Sequence, residues 1–348
     1  MTPNCLAAVL EQLNAPLRLR DLARPALRPG QVVVEVAYSG VCGSQLLEVQ
    51  GKRGPDRFLP HTLGHEGSGI VREVGPDVRK VAVGDRVVLS WIRGSGLDVP
   101  ATVYQSQDGA VNSGALSTFI HQTVTCESRV TPVPADLPLR EAALLGCAIP
   151  TGAGIILNSA QLQRGQTVAV FGAGGIGLSA IMAASAVGAT QVIAIDIVAD
   201  KLKLAELLGA TTVIDAAVVD APAAIAEATG GRGVDCAVES AGRRVTMEAA
   251  LKSIRVGGIC VLAGNLEAGE KIEIDPFDLI RGKRLVGTWG GESVPDRDIP
   301  RFVDMYRQGL LKLGDLITHE FPLSRVNDAI ATVASGQAGR VMLRMTEE

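Results

Sequence analysis

One turn constrains this chain more than any other feature. The run Thr167-Val-Ala-Val-Phe-Gly172-Ala-Gly174-Gly175-Ile176-Gly177 sets G-x-G-x-x-G directly after a β-branched apolar stretch and directly before a helix-like one. The expression alone is weak, and its setting carries it. Gly172 makes the turn, Gly174 lets the backbone approach a pyrophosphate, and Gly177 lets helix pack closely on strand. The helix opening at Gly175 and Ile176 then aims amides and a positive dipole end at the phosphates. Asp196 follows Gly177 by nineteen residues, at the end of the next strand-like run. It is placed to accept from a ribose 2′-hydroxyl and to repel a 2′-phosphate. No arginine follows among Ile197, Val198 and Ala199, so the expected cofactor is NAD rather than NADP. Lys201 is a candidate for the same ribose, with a solvated helix-face lysine as the plain alternative.

Composition excludes several classes. Lys and Arg number 33 against 37 Asp and Glu, a net charge of −4, which leaves no basic footprint for nucleic acid or an anionic membrane. Forty glycines in 348 residues, roughly 11%, exceed the typical ~7%. They point to tight turns and close backbone approach. Six cysteines, at 5, 42, 126, 147, 236 and 260, are too sparse for a disulfide framework. The first residues lack a basic leader and carry Glu11, so no secretory signal is read and a reducing cytoplasm is expected. The uncharged run 165–195 is long enough to span a bilayer. Its glycines favour a buried strand–turn–helix–strand unit instead.

The pattern divides the chain. Before Pro150 it is β-rich, with strands expected at 31–38, 69–74 and 85–89 between Gly and Pro signals. This suggests an antiparallel, barrel-like body of roughly 150 residues, a usual domain size. From Thr167 apolar strands alternate with helices, which argues an α/β fold with a doubly wound parallel sheet. Near Thr288 the alternation stops, helix returns from about Pro295, and a short strand-like RVMLRM closes the chain.

Cys42, in GVCGS, and His65, in LGHEG, are metal-competent side chains beside glycines, as is Cys147 in LLGCAIPTG. Their separations of 23 and 82 residues match no local zinc template. Taken singly, each also reads as a small buried thiol or a locally bonded turn histidine.

The motifs GVCGS (40–44), LGHEGSGIVREVG (63–75), GDRV (84–87), LLGCAIPTG (144–152), VFGAGGIG (170–177) and Asp196 stand in order along nearly the whole chain. In this it resembles the medium-chain zinc-dependent alcohol dehydrogenases. The resemblance implies a GroES-like β-rich catalytic domain, residues 1–148 and 289–348, interrupted by a Rossmann domain, residues 149–288. It implies one catalytic zinc per subunit on Cys42, His65 and Cys147, with Glu66 behind the metal and able to approach it. Ser44 matches the hydroxyl that bonds the substrate oxygen and takes its proton. Thr151 falls at the nicotinamide, Trp91 on the wall of the substrate pocket, and Arg340 at the cofactor phosphates. The implied reaction passes hydride between an alcohol, or its aldehyde or ketone, and NAD. The implied assembly is a homodimer or homotetramer joined through the edge of the Rossmann sheet.

Three departures from the family stand out. Between Ser90 and Thr123 there is no cysteine, so the four-cysteine structural zinc is expected to be absent. Leu47 occupies the place of a proton-relaying histidine, and Gln45 the place of an aspartate that supports the metal shell. The segments GTWGG (287–291) and LITHEFPLSRVNDAI (316–330) lean toward members handling formaldehyde–thiol adducts and primary alcohols. Polyol, amino-sugar and cyclitol dehydrogenases share the mechanism and stay open as alternatives. A zinc-free reductase and a non-catalytic cofactor-binding protein are less favoured. The polar stretch 92–113 reads either as a polar-substrate loop or as a surface turn.

Overall fold

The computed structural model describes residues 4–345. Thr167–Phe171 is buried at every position, as a strand covered on both faces must be. It sits inside a six-stranded sheet in which every neighbouring pair is parallel. The order is Thr212–Asp215, Gln191–Asp196, Thr167–Phe171, Val234–Glu239, Ile254–Leu262, Arg284–Gly287. In chain order this is 3-2-1-4-5-6, the doubly wound arrangement whose order reverses beside its first strand. Helix Gly175–Val187 follows that strand and ends on Gly188 in the left-handed region. Thus 165–195 is strand, turn, helix and strand. Among the described residues no single helix is long and apolar enough to cross a membrane; only the pair Leu139–Gly146 and Ala148–Ser159, bent by 57°, passes on length and composition.

The N-terminal part forms two sheets. Asn4–Leu10, Arg18–Ala23, Val103–Ser106, Gly109–Asn112 and His61–Thr62 close a small barrel. A seven-stranded sheet runs Val130–Pro132, Arg86–Ser90, Glu66–Val74, Gln31–Val41, Arg340–Arg344 and Ile317–Pro322, with Gln122–Cys126 also paired to Gln31–Val41. The C-terminal strand therefore joins the first part of the chain: Val341 pairs Val41 and Met342 pairs Gly40, antiparallel.

Two expectations need correction. The body is not wholly antiparallel, since His61 faces Asn112 in parallel register and Ile317–Pro322 runs parallel to Arg340–Arg344. The stretch 92–113 is not simply loop. Its hairpin, Val103–Ser106 with Gly109–Asn112, is part of the barrel wall. Tyr104 and Val111 are buried in it among Cys5, Leu22 and Ile120. The polar residues that suggested a loop lie on the outer face and at the turn.

Helix Ala148–Gly154 connects the two parts and packs on Gly175–Val187. The approach is backbone to backbone: a Cβ on Gly152 would lie 2.2 Å from the Ile176 carbonyl oxygen.

Candidate active site

Cys42, His65 and Cys147 come from three separate places in the fold. Cys42 precedes helix Gly43–Val49, His65 precedes strand Glu66–Val74, and Cys147 precedes helix Ala148–Gly154. The structure brings their ligand atoms to within 4.8 Å of one another. Two sulfurs and one imidazole nitrogen are the donor set of a zinc site that keeps a fourth position for substrate. The residues therefore fit that metal. Hydrogen bonds from Cys147 and His65 hold the Cys42 thiol well below its ordinary value, while that same pairing pushes Cys147 up. Of the pair, Cys42 is the thiol that ionises more readily.

Gln45 bridges two of the three. Its Oε1 accepts the Cys42 backbone N–H at 2.6 Å, and its Nε2 lies 2.9 Å from His65 Nδ1. In this orientation the amide donates to Nδ1, which leaves the ring proton on Nε2, 3.3 Å from Cys147 Sγ. Ligation through Nε2 needs the opposite tautomer. Gln45 must then turn its oxygen toward His65, a rearrangement an aspartate would not require.

Glu66 lies behind the set, fully buried, and pairs with the equally enclosed Arg340. Its other oxygen accepts the Ala148 N–H at 2.9 Å. Space for the pair is made by glycines: a Cβ on Gly40 would fall 1.7 Å from Glu66 Oε1, and one on Gly146 would fall 2.8 Å from Glu66 Cβ. Arg340 also reaches the nucleotide turn, where a Cβ on Gly175 would lie 3.2 Å from its Cδ. The sequence motifs named Glu66 and Arg340 separately but gave no sign that they bond each other.

Ser44 is half-buried in the first turn of its helix, and Thr151 is buried with a hydroxyl that meets no protein partner. Trp91 stands edge-on to His65, with ring centres 6.4 Å apart. Trp289 packs edge-on against Trp91 at 5.0 Å and is itself 78% exposed. Sequence reasoning missed Trp289; the glycines after it are the only local signal, because Gly290 packs against Ile92 and Trp91.

The nucleotide turn has the geometry its glycines require. Gly172 has φ +93°, and a Cβ there would lie 2.9 Å from the Ala241 nitrogen. A Cβ on Gly177 would lie 1.8 Å from the Gly172 oxygen, whereas one on Gly174 would meet nothing. Gly174, which begins the helix, offers no side-chain cap to its first amides. The Asp196 carboxylate accepts the Ala173 N–H at 2.7 Å and the Ile197 and Val198 N–H groups at 2.8 and 3.1 Å. It is fixed beside the turn, and Lys201 lies half-buried on the helix that follows.

Glu239, also missed, ends the strand next to the first one. Its Oε1 accepts from the Ala241 and Gly242 amides and the Thr246 hydroxyl, while its Oε2 is buried with no partner. Burial raises its carboxyl above the ordinary 4.5. The folded chain thus binds this proton more tightly than the unfolded one, and stability is lost as pH rises through the raised value. Glu239→Gln removes that loss. Urea titrations at several pH values should show the variant gaining on the parent as pH increases; a constant difference would contradict the assignment.

Known families and structures resemble the chain over nearly its whole length. A family model described as zinc-binding dehydrogenase matches residues 175–308, and one described as alcohol dehydrogenase GroES-like domain matches 28–135. Alcohol dehydrogenase class-3 of Caenorhabditis elegans is 32% identical over 372 residues, 98% of this chain and 96% of that protein. An alcohol dehydrogenase zinc-binding domain protein from Burkholderia ambifaria is 34% identical, covers 100% of both chains, and superposes with a TM-score of 0.92. A zinc-binding dehydrogenase from Sinorhizobium meliloti 1021, bound to NADP, is 26% identical over 98% of this chain and 99% of its own, with a TM-score of 0.81. Full-length identity above 30%, both family models and the Cys–His–Cys convergence lead to one conclusion: the chain belongs to the medium-chain zinc-dependent alcohol dehydrogenases, oxidoreductases that pass hydride between an alcohol and a nicotinamide cofactor.

Proposed function

We propose that this chain oxidises an alcohol with NAD, or reduces the corresponding aldehyde or ketone, using one catalytic zinc on Cys42, His65 and Cys147 and no four-cysteine structural zinc. The observation that carries the reading is the convergence of those three ligand atoms within 4.8 Å. Bound there, zinc supplies a Lewis acid that makes the alcohol proton easier to remove. Glu66 stays behind the ligands, held by Arg340 and able to approach the metal.

Ser44 accepts the hydroxyl proton of the alcohol. Leu47 offers no titratable group, so that proton leaves through the cofactor ribose or through water. Trp91, backed by Trp289, walls the pocket. Gly172, Gly174, Gly175, Ile176 and Gly177 receive the pyrophosphate, assisted by Arg340 at the helix start. Thr151 meets the nicotinamide with its unpartnered hydroxyl. Asp196 takes the adenosine ribose, with Lys201 near it. We assign residues 1–148 and 289–348 to the catalytic unit and 149–288 to the nucleotide unit.

Asp196 should also decide between cofactors. Asp196→Ser removes a charged hydrogen-bond acceptor worth about 1.5–3 kcal/mol. The NADP:NAD ratio of kcat/KM should therefore rise on the order of 10- to 100-fold. An unchanged ratio would place specificity elsewhere. Substrate class is tested by following cofactor reduction with a panel of primary alcohols, polyols, amino sugars and cyclitols. Turnover confined to the latter three would identify a polyol, amino-sugar or cyclitol dehydrogenase of the same mechanism instead.

Association is proposed through the free edge of the parallel sheet. Helix Pro276–Ile280, just before edge strand Arg284–Gly287 in the chain, exposes Phe277 (58%) and Ile280 (73%), apolar surface that suits a second copy. Light scattering should show a homodimer, or a homotetramer built from it. The free thiols of Cys5, Cys126, Cys236 and Cys260 support a reducing, cytoplasmic setting.

A further inference from the structure

A second group of ligand-type side chains lies outside the catalytic set. Glu48 sits in the last turn of helix Gly43–Val49, Asp56 in the loop after it, and His61 in strand His61–Thr62. One ligand atom from each lies within 4.8 Å of the other two. His61 is only 6% exposed, and the carboxylates open partly to solvent.

The chemistry of His61 calls for a positive species between its Nε2 and the two carboxylates. Its Nδ1 lies 3.0 Å from the Thr62 carbonyl oxygen, which can only accept, so Nδ1 carries a proton. Its Nε2 lies 2.8 Å from Asp56 Oδ2 and 3.9 Å from Glu48 Oε1. A nitrogen lone pair facing two carboxylates is repulsive unless something cationic stands between them. A proton serves two atoms along a line, whereas three donors around one point suit an ion. The remaining atom of each side chain is tied outward. Thr62 holds His61, the Phe58 N–H donates to Asp56 Oδ1 at 2.8 Å, and Arg53 lies 3.7 Å from Glu48 Oε2. Such outer partners orient metal ligands.

We propose that Glu48, Asp56 and His61 bind a divalent cation, a second metal site in each subunit. It goes beyond the single catalytic ion and rests on none of the catalytic assignments. One imidazole with two carboxylates suits Mn²⁺ or Zn²⁺, and the absence of thiolate distinguishes it from the Cys–His–Cys set. Water completes the shell on the open side. The ion clamps the loop after the helix to the helix that presents Cys42 and Ser44.

The test is titration of the zinc-loaded protein with Mn²⁺, following loss of the free-ion paramagnetic resonance signal, with zinc content measured alongside. The expected result is one Mn²⁺ bound per subunit with the catalytic zinc retained. His61→Gln and Asp56→Asn should weaken that binding at least about tenfold, the scale at which even outer-shell partners act, at unchanged zinc content. Should either fail to fold, Glu48→Gln on the solvent side carries the same expectation. The proposal is overturned if the parent binds neither Mn²⁺ nor a second equivalent of Zn²⁺. Equal Mn²⁺ affinity in folded variants would also overturn it. His61 would then be an imidazolium within an ion cluster.

Discussion

Arg340→Met should lower the free energy of unfolding by about 3–5 kcal/mol, the cost of leaving a buried charge without its partner. Glu66 is wholly enclosed and Arg340 is 5% exposed, so water cannot replace the lost guanidinium. The loss should appear in urea titration without added metal or cofactor, because the pair bonds within the protein itself. The double variant Glu66→Leu with Arg340→Met should recover much of it, since the two effects are strongly non-additive. An independent check comes from the glycine that makes room for the pair. Gly40→Ala places a methyl 1.7 Å from Glu66 Oε1 and should destabilise by overpacking, typically about 1–3 kcal/mol. If Arg340→Met unfolds like the parent, the ion pair does not stabilise the junction where Met342 pairs Gly40.

The other large effect falls on activity. Cys42→Ser should release the catalytic zinc and reduce kcat/KM at least about a hundredfold, because Lewis-acid assistance is worth several kcal/mol and each 1.36 is tenfold. Serine fits the space but does not ionise near neutral pH, and the Cys42 thiol is the one its neighbours hold low. Binding of the dinucleotide should persist, since the Gly172–Gly177 turn belongs to the other sheet. Retained cofactor binding separates loss of the metal from collapse of the fold. Metal analysis with alcohol-dependent cofactor reduction checks both parts, and full activity without zinc would refute the assignment.

How far the sequence reaches depends on the range of each interaction. The nucleotide turn is legible because its requirements are local: Gly172 needs a positive φ, and a Cβ on Gly177 would fall 1.8 Å from the Gly172 oxygen. The alternation of buried strand and helix after Thr167 is legible for the same reason. The proposed zinc ligands are not readable from spacing, because three different strand and helix starts bring them together; only the ordered motifs joined them. The Glu66–Arg340 bond spans 274 residues and leaves no periodic trace. The hairpin at 103–112 is disguised by polar outer residues, although Tyr104 anchors it in the barrel core. Gln45 was visible as a departure from the family, but its bridge between Cys42 and His65 follows only from geometry. Trp289 and Glu239 are single residues whose partners come from other segments.

The metal centre carries the proposed reaction, and zinc-edge X-ray absorption on protein carrying one equivalent of zinc tests it directly. Two sulfur scatterers at about 2.3 Å, with one nitrogen and one further light atom at about 2.0–2.2 Å, are the predicted shell. Both sulfurs should fall to one in Cys42→Ser if any metal is kept. A shell of nitrogen and oxygen alone, or protein that turns over alcohol with no zinc bound, would contradict the account.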